Sequence, residues 1–103
     1  VMYTIKFDPA FVADYKRVMR RHPELKREFN VMMRELAERG ELSGSYGAHA
    51  LNNPGGNYNG HIDVHLSDGA VDVIVLYLPH KSNPTIRFVC MGSHAELFKR
   101  ARK

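Results

Sequence analysis

The sequence predicts an α+β domain in which a helical hairpin packs on a mostly antiparallel four-stranded sheet, in the order β-α-α-β-β-β-α. Three patterns carry this prediction. Apolar residues recur at helical spacing between residues 9 and 39, they alternate with polar residues in 1–7 and in the second half, and an Asp-Gly pair separates two later strands. With 103 residues the chain can form one hydrophobic core and not two, so we predict a single domain spanning residues 1–103.

The first half contains one strand and two helices. Residues 1–7 alternate as a half-buried strand does, and Asp8 and Pro9 favour a helix start. Pro23 marks the start of a second helix, and Gly40 is expected to end it in the left-handed conformation. The apolar stripes of the two helices, which we interpret as core, consist of Phe11, Tyr15, Val18, Met19, Leu25, Phe29, Met32, Met33 and Leu36.

The second half is predicted to be a long loop followed by three strands. Residues 41–60 are rich in Gly, Asn, Ser, Tyr and Pro and show no sustained period, which indicates a loop. Strands at 61–67 and 70–78 are expected to be joined by a type I′ turn at Asp68-Gly69. A further strand is expected at 85–91. Its two faces would carry Ile86, Phe88 and Cys90 on one side and Arg87, Val89 and Met91 on the other.

The segment Gly92–Phe98 begins a short helix directly after the last strand. Ser93 and Glu96 have the spacing of a capping box, in which a hydroxyl and a carboxylate each accept a hydrogen bond from a backbone amide at the helix start. His94 then occupies the first helical position, where its imidazole can point across the end of the sheet. The segment therefore predicts the presentation of one histidine.

Charge is distributed unevenly along the chain. The net charge is +4, yet residues 41–80 contain no Lys or Arg and four of the six histidines. The basic flanks favour a polyanionic partner, nucleic acid before a membrane. The longest apolar run, residues 73–78, is far shorter than a membrane span of about 20 residues, so we expect a cytoplasmic protein.

Four histidines are candidate site residues: His49, His61, His65 and His94. In the strand at 61–67, alternation places His61, Asp63 and His65 on one face, which we predict to be a concave polar face flanked by basic helices. A metal site is one chemistry for these groups. The strand spreads them over about 13 Å, too wide for one zinc with bonds of about 2 Å, so a metal-dependent hydrolase stays a minor alternative and we expect no metal or cofactor.

Metal-free acid–base cleavage of RNA is the chemistry that we prefer. One group takes the proton of a ribose 2′-OH, that oxygen attacks the adjacent phosphate, and a second group protonates the leaving 5′-oxygen. Imidazoles suit this reaction because they titrate near neutral pH. Lys and Arg side chains of the flanks would stabilise the charge that develops on the phosphorane.

Four stretches resemble motifs of the YafQ-like branch of the RelE/ParE toxin superfamily. They are Tyr46–Leu51, similar to the family's His-Pro-Leu loop with Ala50 for proline, and Gly60–His65, Asp72–Tyr77 and Gly92–Phe98. The resemblance implies a toxin of a type II toxin–antitoxin system that cleaves mRNA in the ribosomal A site. It also implies a cognate antitoxin, which we expect to bind through an acidic, partly disordered segment.

The resemblance also implies roles for individual residues. His49 and His65 would share general-base and phosphate-contact duties, and Asp72 would be the acid partner. His94 would bind or protonate at the scissile phosphate, and Phe98 would support the site by contact or stacking. The spacing from His65 to Asp72 is longer than in the family pattern, so Asp68 competes for the acid role.

Two positions depart from the family pattern. The family's arginine is Ile62 here, and its aromatic residue after the acid is Val73. Arg87, Lys81 or the C-terminal basic cluster would have to supply the missing substrate contacts, with His61 as a further substrate-binding candidate. The alternative function is a ParE-like gyrase-binding toxin, or a catalytically impaired binding module on the same scaffold. The histidine-rich face favours the nuclease, because the ParE-like relatives lack it.

Overall fold

The computed structural model describes residues 2–42, 44–50, 60–66, 71–80, 83–93 and 95–99. Two helices and five strands form within these ranges: β1 (Thr4–Phe7), α1 (Pro9–Arg21), α2 (Leu25–Arg39), β2 (His49–Ala50), β3 (Ile62–His65), β4 (Ile74–His80) and β5 (Thr85–Gly92). A 3-10 turn at Gly44–Tyr46 precedes β2. One turn of π-helix at Ala95–Lys99, here called the terminal turn, follows β5. No helix in the described ranges is long and apolar enough to span a membrane.

The strands form one mixed sheet in the order β1-β5-β4-β3-β2. β1 runs parallel to β5, and the other neighbours are antiparallel. Parallel strands cannot be joined by a tight turn, and here everything from α1 to β4 lies between β1 and β5 in the chain. The predicted fold is therefore confirmed, with one addition: the two-residue β2 pairs with β3 inside the region that was predicted to be a loop.

The helices begin and end where the sequence signals indicate. Asp8 is the N-cap of α1, but its side chain does not cap the helix and lies instead 3.4 Å from Arg87 Nε. Gly40 ends α2 with a φ of 78°, as predicted. A side chain at Gly40 would also collide with the ring of Tyr3, whose backbone amide donates a 2.7 Å hydrogen bond to the carbonyl of Ala37. Glycine here lets β1 lie against the end of α2.

The main core lies between the helical hairpin and one face of the sheet. Phe88 of β5 is at its centre, and its ring centroid lies 5.3 to 6.1 Å from those of four other aromatic residues. These are Phe7, Phe11, Phe29 and Tyr77. The predicted helical stripes supply the rest of this core, of which Phe11, Val18, Met19, Leu25, Phe29, Met32 and Leu36 are buried.

A bulge in β5 changes the predicted alternation of that strand. Leu76 pairs with Cys90, but the next residue, Tyr77, pairs with Phe88, which leaves Val89 as the extra residue. An extra residue inverts the side-chain alternation beyond it. Met91 therefore joins Phe88 in the main core, and Cys90 lies on the opposite face. The prediction for these two residues was wrong, because it assumed an unbroken period.

The β3–β4 hairpin is confirmed, but its register differs from the predicted one. His65 pairs with Ile74, and the Leu66 amide donates a 3.1 Å hydrogen bond to the Val73 carbonyl. A two-residue turn at Asp68-Gly69 would instead pair His65 with Asp72. The turn itself lies outside the described residues. A shift of two residues leaves every side chain on the same face, so the hydrophobic pattern does not detect it.

The second face of the sheet is not the open polar surface that was predicted. At its centre Ile74, Leu76 and Cys90 form an apolar cluster that Leu97 of the terminal turn covers. Asp63, which shares this face, is 4% exposed. The prediction was wrong at the centre of the face, since the terminal turn packs there and Asp63, which pairs with Leu76, is buried.

Candidate functional site

One end of the sheet gathers the ends of three strands. His65 stands opposite Ile74, and Ile74 stands opposite Gly92 in the strand pairing. Asp72 and Ser93 lie just beyond these positions in the chain. Because neighbouring strands are about 4.8 Å apart, the ends of β3 and β5 are separated by roughly 10 Å. We call this region, defined by His65, Asp72, Gly92 and Ser93, the sheet end.

A cavity of about 190 Å³ opens at the sheet end. Three elements supply its polar lining: Arg17, Arg21 and His22 from the last turns of α1, Asp72 from the segment before β4, and Ser93 and Glu96 from the segment after β5. The cavity thus combines cationic groups, carboxylates and a hydroxyl. Cationic groups can bind a phosphodiester, and carboxylates and imidazoles can transfer protons to and from it.

Arg17 is held in place by contacts to both neighbouring elements. Its Nη1 donates a 2.9 Å hydrogen bond to Asp14 Oδ1, and its Nη2 donates one of 3.4 Å to the Met91 carbonyl. Nη2 also lies 3.6 Å from Glu96 Oε1. The hydrogen bond with Asp14 is the main cause of a raised Arg17 pKa, and the nearby Glu96 charge adds to it. Arg17 therefore carries a charge that two carboxylates already balance.

The capping box predicted at Ser93 is confirmed. The Ser93 amide donates a 2.9 Å hydrogen bond to Glu96 Oε1, and the Glu96 amide donates one of 3.2 Å to Ser93 Oγ. The Leu97 amide donates a 3.0 Å bond to the Ser93 carbonyl, which closes the first turn. The expected short helix is a single turn of π-helix, and Leu97 anchors it to the second face of the sheet.

The structure brings two of the predicted catalytic residues to the sheet end. His65 ends β3 and is half-buried, and Asp72 is exposed at the rim of the cavity. The backbone of His49 pairs with that of Asp63, which lies two residues before His65 in β3. His94 follows Ser93 in the chain. The side chain of His49 and the whole of His94 and of the competing Asp68 lie outside the described residues.

The predicted substrate-binding residues are more widely spread. Arg87 lies five residues before Gly92 in β5, about 16 Å away by strand rise, and forms its ion pair with Asp8. His61 lies just before β3, about 13 Å from His65 by strand rise. The structure brings neither residue to the cavity. The backbone of Phe98 is part of the terminal turn, and Lys81 and the Phe98 side chain are outside the described residues.

Arg17, Arg21 and His22 are site residues that the sequence reasoning missed. The last turn of α1 is basic, but cations at a helix C-terminus interact favourably with the helix dipole in many proteins without a binding role. Only the packing of α1 on β5 reveals that they reach the sheet end. The sequence shows that these residues are clustered, but it does not show which part of the sheet they lie against.

A second cavity, of about 250 Å³, lies between β1, α1 and α2. It is lined by Phe7, Phe11, Val12, Tyr15, Phe29, Asn30 and Met33. No carboxylate or imidazole of the described residues lines it, so of these two cavities the one at the sheet end has the side chains that could transfer protons. The described part of the chain also contains no group of three His, Cys, Asp or Glu side chains that could hold a metal ion. Metal independence stays a prediction.

The chain is similar to proteins of known fold. A family model for YafQ, a bacterial toxin of type II toxin–antitoxin systems, matches residues 3–99. The crystal structure of YafQ from E. coli strain BL21(DE3) is 24% identical with a TM-score of 0.72, and the match covers 93% of this chain and 98% of that one. For the E. coli DinJ-YafQ toxin–antitoxin complex the identity is 24%, the TM-score 0.75 and the coverage 95% and 99%. A metal-bound toxin from Helicobacter pylori is 29% identical with a TM-score of 0.71, at 94% and 100% coverage. No curated protein sequence matches the chain significantly.

Proposed function

The chain belongs to the YafQ toxins of bacterial type II toxin–antitoxin systems, and on that premise we propose that it is a ribosome-dependent endoribonuclease. Its substrate is mRNA in the ribosomal A site. The observation that supports this proposal best is the cavity at the sheet end, where Asp72 and the cations of α1 lie next to the segment that leads into His94. The cavity combines groups for proton transfer with groups that attract phosphate.

The proposed reaction needs no metal. A histidine, His65 or His49, takes the proton of the ribose 2′-OH, and the 2′-oxygen attacks the adjacent phosphorus. The bond from phosphorus to the 5′-oxygen breaks, and His94 or Asp72 gives a proton to that oxygen. The products are a 2′,3′-cyclic phosphate and a 5′-hydroxyl. Imidazoles suit both steps because they accept and release protons near neutral pH.

Substrate contacts come from two regions in this proposal. Arg21 and His22 line the cavity and are placed to attract the phosphates next to the scissile bond. Phe98 supports the site from the terminal turn, as the family resemblance implies. Arg87 and His61 lie outside the cavity, so in this proposal they contact more distant parts of the RNA or of the ribosome. Lys81, which is not among the described residues, keeps its proposed role in substrate binding.

The proposed partner is an antitoxin. A solved E. coli structure is a complex of a YafQ toxin with DinJ. For this chain we propose a partner with an acidic, partly disordered segment that folds as it binds and covers the basic end of α1 beside the terminal turn. Co-expression with the neighbouring gene product should give a complex that does not cleave mRNA. A partner that binds and leaves cleavage intact would contradict this placement.

Translation-coupled cleavage tests the function. The purified chain is added to a translation reaction, and the mRNA is mapped for new 5′-hydroxyl ends, with a ribosome-free reaction and a chelator-treated reaction in parallel. We expect cuts that require ribosomes and persist in chelator. Loss of cleavage in chelator would identify a metal-dependent hydrolase, and intact mRNA with altered DNA supercoiling would identify a gyrase-binding toxin.

A further inference from the structure

We propose that Asp14 and Arg17 of α1 are positioning residues, which hold the end of β5 and the terminal turn in place against α1. No family motif named above includes either residue. The first part of the proposal, that Asp14 and Arg17 hold the terminal turn, depends only on their contacts with Met91 and Glu96. Its consequence for cleavage rests on the proposed function.

The two side chains pair with backbone groups at one edge of β5. Within the described residues, β1 pairs with β5 only as far as Phe7 and Phe88, and no other strand of these residues lies beside the rest of that edge. There the Met91 amide donates a 3.1 Å hydrogen bond to Asp14 Oδ2, and the Met91 carbonyl accepts one from Arg17 Nη2. Backbone groups that lose water need such partners. Asp14 and Arg17 act at this point in place of a strand.

The same guanidinium reaches the terminal turn. Glu96 Oε1, which caps the turn through the Ser93 amide, lies 3.6 Å from Arg17 Nη2. Glu96 Oε1 thus contacts both the Arg17 guanidinium of α1 and the Ser93 amide. Gly92 permits this approach, because a Cβ at that position would lie 2.7 Å from Glu96 Oε1 and 3.4 Å from Arg17 Nη2. The contacts therefore form a continuous chain from α1 to Ser93.

The geometry favours positioning over substrate contact for Arg17. Its Nη1 is bonded to Asp14, and its Nη2 is shared by the Met91 carbonyl and Glu96. Two carboxylates balance its charge, which weakens its attraction for a phosphate. Arg21, one helical turn further along α1, faces the same cavity and is exposed. Arg21 is the better candidate for contact with RNA, and Arg17 for holding the site together.

Backbone hydrogen exchange tests whether Asp14 and Arg17 hold the terminal turn, without any assumption about activity. Arg17→Met removes the guanidinium and keeps an unbranched side chain. Arg20→Met makes the same change at an exposed position of α1 and serves as the matched control. We expect Arg17→Met to speed exchange at the amides of Ser93 and Glu96 by about tenfold or more, and the control to leave it at the wild-type rate. Unchanged exchange in Arg17→Met would overturn the proposal.

Two further variants keep the test decisive. Asp14→Asn retains an acceptor and removes the charge, so we expect faster exchange at the Met91 amide, which Asp14 Oδ2 accepts from in the wild type. This variant provides the test if Arg17→Met fails to fold. Arg17→Lys should restore part of the protection, because it keeps a cation near Glu96. If neither Asp14→Asn nor Arg17→Met changes exchange at the amides of Met91, Ser93 and Glu96, α1 does not hold the terminal turn.

Cleavage kinetics then test the consequence for the reaction. Arg17→Met should lower kcat and leave KM unchanged, since a misplaced catalytic group slows the chemical step. A raised KM with an unchanged kcat would show that Arg17 binds substrate, and would overturn its role as a positioning residue. If the wild-type chain cleaves no mRNA, the proposed function fails, while the exchange rates still decide whether Asp14 and Arg17 hold the turn.

Discussion

Gly92→Ala provides a sharp test of how the sheet end is built. The φ of Gly92 is not positive, so alanine fits the backbone, but the added methyl group would lie 2.7 Å from Glu96 Oε1. That oxygen is the far end of a flexible side chain and can move away. In moving, it loses the 2.9 Å hydrogen bond from the Ser93 amide and the approach to Arg17. The substitution should therefore open the capping box without disturbing the core.

Two opposing effects set the change in the free energy of unfolding. Replacing a strand glycine by alanine stabilises by about 0.5–1 kcal/mol, because the unfolded chain loses freedom. Losing a helix cap costs about 0.5–2 kcal/mol. The net change lies between about 0.5 kcal/mol of stabilisation and about 1.5 kcal/mol of destabilisation, so the free energy of unfolding should change little. Exchange at the Ser93 amide should nevertheless rise about tenfold, because it reports the local opening.

The assay combines urea unfolding, hydrogen exchange and cleavage in a double-mutant cycle. Glu96→Ala removes the carboxylate that the methyl group would meet, so adding Gly92→Ala to it should have little further effect. Gly44→Ala is the control, since a Cβ there meets no atom within 4 Å. Wild-type exchange at Ser93 in Gly92→Ala would refute the reasoning, and so would strictly additive effects in the cycle.

Three further predictions concern the core, alkaline pH and the reaction. Phe88→Ala should lower the free energy of unfolding by about 3–5 kcal/mol in urea titrations, since its ring contacts four others, and a loss below 1 kcal/mol would contradict the described core. Burial raises the pKa of Tyr77 to about 12, whereas an unfolded phenol titrates near 10. The unfolded state therefore loses its proton first, and the stabilisation, complete below about pH 10, should decline by roughly 2–3 kcal/mol towards pH 12. Tyr77→Phe should lack that decline, and an equal decline in the variant would assign it to other groups. His94→Ala and Asp72→Asn should each remove most cleavage and change stability by less than about 1 kcal/mol. If Asp68→Asn abolishes cleavage and Asp72→Asn does not, the acid role belongs to Asp68.

Local sequence signals predicted local structure well. Pro9 and Gly40 mark helix ends because each restricts or permits backbone angles at its own position. The capping box of Ser93 and Glu96 was predictable for the same reason, since its partners are three residues apart. The order of elements follows from these signals together with the periods of the apolar residues. Hence the fold class could be predicted from the sequence.

Features that depend on two distant segments were not predictable. The bulge at Val89 arises from the pairing of β5 with β4, and nothing in the local pattern of β5 marks it. The hydrogen bonds from Asp14 and Arg17 to Met91 join positions that are 77 and 74 residues apart. Sequence reasoning can identify a basic helix end, but it cannot tell which strand that end will meet.

The prediction of a polar sheet face failed for a reason that the sequence did contain. Residues 73–78 are apolar at every position, which is typical of a strand that is covered on both faces. The helical hairpin covers one face of β4, and Leu97 covers Ile74 and Leu76 on the other. The centre of this face is therefore apolar, and Asp63, which pairs with Leu76, is itself buried. The terminal turn covers the apolar cluster, and Glu96 of the same turn lies 3.6 Å from Arg17 Nη2. Because one turn both covers this cluster and contacts α1 through Arg17, we expect substitutions at Arg17 to change the local opening of the turn, which exchange at the Ser93 amide reports.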